Sequence, residues 1–217
     1  MSVKLTILKD RQAWLEHRKE GIGGSDIASV IGKNPWKTNQ ELWLEKVGIK
    51  PAKDLEGNTY VKYGHDAEPL LRNLFALDFP EYKVIYTENN SYKNDKYPWA
   101  LASVDGLLKD QKGRLGILEI KTSNILQTYD WDKWRGKIPD NYFCQVLFYM
   151  AVLEADFAVL KAQLKRKCTD GLKIKTNHYF IERSEVEEDI KYLMSEGEKF
   201  WTSVKERKEP ALILPEI

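Results

Sequence analysis

Between residues 60 and 79, Leu70, Leu71, Leu74, Phe75 and Leu77 fall at helical spacing, which predicts a long amphipathic helix. Trp14, Leu15 and Arg18 mark a shorter helix over about 10–20, broken by the glycines of GIGGS. Ser25 or Asp26 can cap a second helix, DIASVIG, which stops at Gly32. A third helix over 39–47 has Thr38 as its N-cap, and a polar connection over 48–57 follows it. Past residue 80 the texture changes. YKVIYT, WALASVDGLL and GRLGILEIKTS are rich in β-branched, aromatic and leucine residues, and turn-forming pieces such as KND and KDQKG separate them. The last two segments should pair as a hairpin around residues 110–113. Residues 141–153 return to helix, with Val146, Leu147, Met150 and Ala151 on an apolar face. Two more strands, FAVLKAQL and IKTNHYFIE, precede a final helix over 184–205. This order predicts a single α/β domain with a central mixed sheet flanked by helices.

Composition narrows the class. The 217 residues are 42% hydrophobic and 31% charged, which suits one soluble globular domain. No stretch approaches the roughly 20 apolar residues of a membrane span, and the first residues lack the apolar region of a secretory signal. The expectation is a cytoplasmic protein with no membrane partner. Cys144 and Cys168 are too few for a disulfide scaffold and lack metal-site spacing, so both read as free thiols. A net charge of +1 does not advertise a nucleic-acid partner, so any basic surface must be local. The densely basic run at 161–175 is the candidate for one; otherwise it is a solvated face.

The chemistry gathers in GILEIKTS. In a strand, Glu119 and Lys121 share one side while Leu118 and Ile120 take the other. Charges among hydrophobic neighbours form a salt bridge or face a ligand, most simply a cation with an anionic substrate. A hairpin through KDQKG would bring Asp105 beside Glu119. Converging carboxylates suit a hard divalent cation such as Mg²⁺, and the lysine adds a compact charge able to orient a nucleophile and stabilise developing charge.

Taken in order, GIGGSDIASVIGKNPW, YGHDAEPLL, the Asp of ASVDG, the EIK of GILEIKTS and QVLFYM resemble the PD-(D/E)xK nucleases. More narrowly, they resemble the YqaJ-type viral recombinase and phage lambda exonuclease family. The matching pieces span roughly residues 18–150. The resemblance implies a restriction-endonuclease-like core over about 58–182, with an N-terminal helical region that holds the substrate end over about 10–50. It makes Asp105, Glu119 and the backbone carbonyl of Ile120 metal ligands and Lys121 the catalytic lysine. Glu68 stands at the metal, directly or through water, and Gln145 positions Lys121 or substrate. Arg18 and Ser25 would grip a terminal 5′ phosphate, unless they are a solvated charge and a helix cap. Tyr149 shares a face with Gln145, as substrate contact or core residue. His65 reads more simply as a surface group than as a ligand, and Trp36 as a packing corner or a point on the DNA path.

The implied activity is a Mg²⁺-dependent deoxyribonuclease, with Mn²⁺ as a possible substitute, digesting double-stranded DNA from 5′ ends in phage-type recombination. The resemblance also implies a trimeric homo-oligomer, a single-strand annealing protein as possible partner, and a phage or prophage origin in a bacterial host. The rival readings are an endonuclease or repair nuclease on the same core, a non-catalytic DNA-binding module, and an unrelated α/β scaffold with a buried Glu119–Lys121 pair.

Overall fold

The chain opens with a strand that its hydrophobic pattern does not announce, β1 (Val3–Ile7), exposed along its length. Helix α1 (Arg11–His17) follows, capped by the Asp10 carboxylate, which accepts from the Ala13 amide at 2.8 Å. It runs into a 3-10 turn, Arg18–Glu20. A short strand, β2 (Ile22–Gly23), leads into α2 (Gly24–Val30), and the left-handed Gly32 (φ 73°) closes that segment. Neither Ser25 nor Asp26 caps α2, contrary to expectation; Gly23 holds that position. Asp26 lies in the first turn, where its Oδ2 accepts from the Gly23 amide at 3.0 Å. An acid three residues in satisfies that amide from within the helix, so the helix can begin earlier.

α3 (Asn39–Lys46) starts at Thr38 as the pattern predicts. The Glu41 amide donates to Thr38 Oγ1 at 3.1 Å and the Thr38 amide to the Glu41 carboxylate at 2.9 Å, a reciprocal cap worth about 1 kcal/mol. The computed structural model describes residues 2–53 and 57–215, so residues 54–56 of the expected connection lie outside the described residues.

α4 (Thr59–Asp78) buries Ala67, Leu71, Arg72 and Phe75. Leu70, Leu74 and Leu77 are instead 70%, 44% and 78% exposed. The apolar positions span more of the helix than one packed face covers, so only those facing the sheet are buried.

Strands β3 (Lys83–Ile85), β4 (Asn90–Asn94), β5 (Tyr97–Ala102), β6 (Gly106–Lys109) and β7 (Leu115–Asn124) come next. WALASVDGLL is thus two strands rather than one. The break at residues 103–105 is held by Asn90, whose side chain accepts from the Val104 amide at 2.9 Å and donates to the Val104 carbonyl at 3.0 Å. A short helix, α5 (Thr128–Asp132), precedes α6 (Asp140–Leu153), β8 (Phe157–Cys168), β9 (Gly171–Glu182) and α7 (Arg183–Lys205).

The strands make two sheets. β1-β4-β5-β2 is antiparallel except for β2 on β5, and β3-β6-β7-β8-β9 is antiparallel except for β7 on β8. The fold is the expected mixed α/β domain, with a second sheet in addition to the central one. α6 packs against α2 and α7 and touches β4 and β5 on one side and β7 and β8 on the other. Its residues from Cys144 to Leu153 are buried all round, a broader burial than the single apolar face expected. α4 covers the opposite face of the five-stranded sheet, where Leu71 and Phe75 meet Leu118, Ile120 and Val159. Among the described residues no helix is long and apolar enough to cross a membrane.

Candidate active site

β7 separates its charges from its apolar residues by simple alternation. Leu118 and Ile120 enter the cluster under α4, whereas Glu119 and Lys121 meet α6. The β6–β7 hairpin turns at residues 110–113, and its ladder ends at Gly106 opposite Leu118. Asp105 therefore stands one step beyond the last pair, level with Glu119. Its Oδ2 accepts from the Ile120 amide at 2.7 Å. Because the N–H and C=O of one strand residue point to the same edge, the Ile120 carbonyl is turned toward Asp105 as well.

Glu119 is 2% exposed. Its Oε1 accepts from Lys121 Nζ and from Gln145 Nε2, both at 2.7 Å, and its buried Oε2 has no partner among the described residues. Lys121 also lies over the Tyr142 ring, 5.1 Å from its centroid. Glu68 approaches from α4 and pairs with Arg72 one turn on; the Arg72 Nε also donates to the Asp105 carbonyl. Arg72 stacks on Tyr86, 3.4 Å from the ring centroid. Pro69 has no N–H to offer the His65 carbonyl, so α4 lacks one rung next to Glu68.

The electrostatics follow from burial. Desolvation, reinforced by Asp105, raises the Glu119 carboxyl to about 8 against the pull of Lys121. Desolvation and Asp105 likewise raise Glu68 to about 7 despite Arg72, and burial raises Asp105. Burial would lower Lys121, but Glu119, Asp105 and Tyr142 outweigh it, and the ammonium persists. Three acids thus crowd one edge with too little positive charge to settle them. Among the described residues no group of three or more His, Cys, Asp and Glu side chains is by itself arranged to hold a metal. The donor set nevertheless suits a hard cation, because it offers carboxylates, a backbone carbonyl and an unpartnered buried oxygen.

The N-terminal residues meet as well. Arg18 donates to Ser25 Oγ at 2.8 Å and to Asp26 at 3.0 Å, and lies 4.9 Å from the Trp14 ring centroid. Arg18, Ser25 and Tyr149 line one small cleft. Gln145 Nε2 also donates to the Tyr149 hydroxyl at 3.1 Å, so hydrogen bonds connect the cleft wall to Glu119. Gly24 is required there, since a Cβ would fall 2.3 Å from the Tyr149 ring. The exposed His65 ring contacts Arg11 at 3.4 Å, and Trp36 is exposed.

Arg72, Lys46 and Tyr142 escape the sequence reading. Arg72 was within reach of it, as a basic residue four positions after Glu68 on the same helical face. Lys46, 2.9 Å from Asp26, leaves no local signal. The basic run at 161–175 is not simply solvated: Lys161 is fully buried, 3.6 Å from Asp78, and Lys165 lies over the Tyr63 ring. Both cysteines are free thiols, and burial raises Cys144 to about 12.

The pattern of the YqaJ-like viral recombinase domain matches residues 13–157, which takes in both clusters. The chain belongs to the YqaJ-like viral recombinase family. The Bacillus subtilis (strain 168) protein YqaJ is 34% identical over 157 residues, which is 69% of this chain and 46% of that protein. This recombinase-family chain therefore spans about half the length of that curated relative. The crystal structure of an alkaline exonuclease from Laribacter hongkongensis superposes at a TM-score of 0.65 with 18% identity, covering 91% of this chain and 94% of that one. A phage-related exonuclease from Haemophilus somnus 129PT gives 0.58 with 16% identity, covering 86% and 96%. At such identities the likeness is one of fold, which this chain shares with these two exonucleases.

Proposed function

We propose that this YqaJ-family chain is a metal-dependent nuclease that digests double-stranded DNA from its 5′ ends. The observation that carries this reading is the meeting of Asp105, Glu119 and Lys121 at the end of the β6–β7 ladder, with one Glu119 oxygen unpartnered. Asp105, Glu119 and the Ile120 carbonyl would hold Mg²⁺ or Mn²⁺, with Glu68 beside them. Such an ion supplies Lewis-acid stabilisation of the phosphate and acidifies water. Lys121 orients the attacking water and offsets charge on the phosphate oxygens, and Gln145 fixes Glu119 and, through it, Lys121. Arg18 and Ser25 take the terminal phosphate. The neighbours that share this fold are named as exonucleases, which favours attack at ends over internal cleavage. The same reading includes assembly into a trimer and a single-strand annealing protein as partner.

The test uses linear and covalently closed duplexes, with Mg²⁺ and with a chelator. Linear DNA should be degraded only with the metal, closed circles should survive, and 5′-phosphorylated ends should be consumed faster than 5′-hydroxyl ends. Arg18→Ala should shrink that last difference at fixed salt, since phosphate contacts are salt-dependent. Cutting of closed circles would favour an endonuclease, and no metal-dependent cutting at all would favour a binding module.

A further inference from the structure

A second cleft lies between α5 and β9, lined by Trp131, Trp134, Arg135, Lys175 and Asn177. Its volume is about 130 Å³, on the scale of one flat heterocycle and well above the ~10–15 Å³ of such space that a single water needs. Trp134 is its fixed wall: it is 3% exposed, stacked on Tyr142 at 5.6 Å, and its backbone carbonyl accepts from the Tyr179 hydroxyl. The Trp134 indole N–H donates to nothing among the described residues. Trp131 differs, being half-buried with no ring or cation partner among the described residues. It packs in part against the core, and the portion of its ring that lines the cleft is a stacking surface.

The charge around it is positive where a backbone would run. Lys175 is exposed and has no ion pair among the described residues. Arg135 reaches Asp132 only at 3.4 Å, with both side chains mostly in solvent, a pairing that a phosphate can replace. The cleft also adjoins the acids: the Tyr142 ring that stacks on Trp134 is the one beneath Lys121.

We propose that this cleft binds single-stranded DNA, taking one unpaired base against Trp131 with the flanking phosphates on Arg135 and Lys175. The inference rests on DNA being the substrate, and it names the strand that leaves the duplex uncut. A paired base has both faces covered within its stack, so only an unpaired one can enter. Stacking on an aromatic face is tolerant of sequence, which suits a strand of arbitrary composition.

The experiment measures binding of fluorescein-labelled oligo-dT to the full chain in a chelator, where no cleavage occurs, by anisotropy and by tryptophan quenching. Native protein should bind and be quenched. Trp131→Ala should weaken binding on the order of tenfold, and Trp131→Phe should restore most of it. Lys175→Ala, an exposed strand position, should weaken binding by a smaller factor and lower its salt dependence. Native protein that cuts linear duplex while Trp131→Ala and Lys175→Ala both bind oligo-dT normally overturns the cleft assignment and leaves the nuclease standing. Native protein that never cuts duplex but loses oligo-dT binding with Trp131→Ala overturns the nuclease and keeps the cleft.

Discussion

Lys121 touches Glu119 at 2.7 Å while Asp105 and Glu68 crowd the same edge, so removing the ammonium leaves acids facing acids. Such a cluster relieves itself by holding a proton, which keeps the fold intact while the chemistry fails. Lys121→Ala is therefore expected to lower cleavage by about 10²-fold or more while still gaining thermal stability from added Mg²⁺. Asp105→Asn should lose both the cleavage and the Mg²⁺-induced shift. A Lys121→Ala protein that cuts at a near-native rate refutes the role given to the lysine. Asp26 shows the opposite balance of forces. Burial alone would raise its carboxyl, but Lys46 at 2.9 Å and Arg18 at 3.0 Å outweigh burial and hold it well below the usual carboxylate range. A group depressed by folding contributes stability above its unfolded pKa, about 4, and that contribution fades as pH falls toward the folded value. Asp26→Asn should cost about 3–5 kcal/mol near pH 7, because it leaves Lys46 and Arg18 without their counter-charge. Below about pH 4 the gap to the native protein should narrow. Melts of both proteins at pH 7 and pH 3 decide it, and a gap that widens in acid contradicts the ion-pair account.

Helix α6 ends at Glu154, a non-glycine residue held at φ 54°. Left-handed backbone costs a residue with a Cβ about 1–2 kcal/mol, and glycine avoids that cost. Glu154→Gly should therefore raise stability by about 1 kcal/mol in denaturant titrations, net of the freedom glycine adds to the unfolded chain. A loss of stability would mean that the Glu154 side chain does more than tolerate the turn. The extents of α3, α4, α6 and α7 were legible in the sequence because their signals are local: a Thr38 cap, 3.6-residue periodicity, and breakers at the ends. The β6–β7 hairpin was legible for the same reason, and with it the approach of Asp105 to Glu119. β1 and β4 were not. Their register pairs residues about 80 to 90 positions apart, one strand is wholly exposed, and the other is polar, with Asn90 and Asn94 satisfied by distant carbonyls. The break after β5 likewise depends on Asn90, far outside any local window. Partners such as Lys46 for Asp26 exist only once helices pack, which is why the charges around the N-terminal cleft were legible in kind and not in pairing.

A net charge of +1 is modest for the proposed action along a polyanion, so on that reading any attraction for DNA must come from local basic groups. Closing several copies around a duplex would turn each local basic cleft into part of a lined channel, raising the field where the DNA runs without raising the net charge of a chain. α4 offers a surface for such closure. Leu70, Leu74 and Leu77 fall at i, i+4 and i+7, so they form one exposed apolar stripe on the helix that also carries Glu68. Stripes of this kind are characteristic of association sites, and covering them returns about 25 cal/mol per Å² of apolar surface. Sedimentation velocity should show a trimer at micromolar concentration. The double change Leu74→Glu and Leu77→Glu should yield single chains that keep the native melting behaviour, since neither leucine is buried within its own chain. On the proposed reading, those single chains should still shorten short duplexes from their ends but release long ones after few steps, because no closed assembly then holds the DNA. Native protein that sediments as a monomer contradicts the closed assembly, and a double variant that remains trimeric moves the interface off α4.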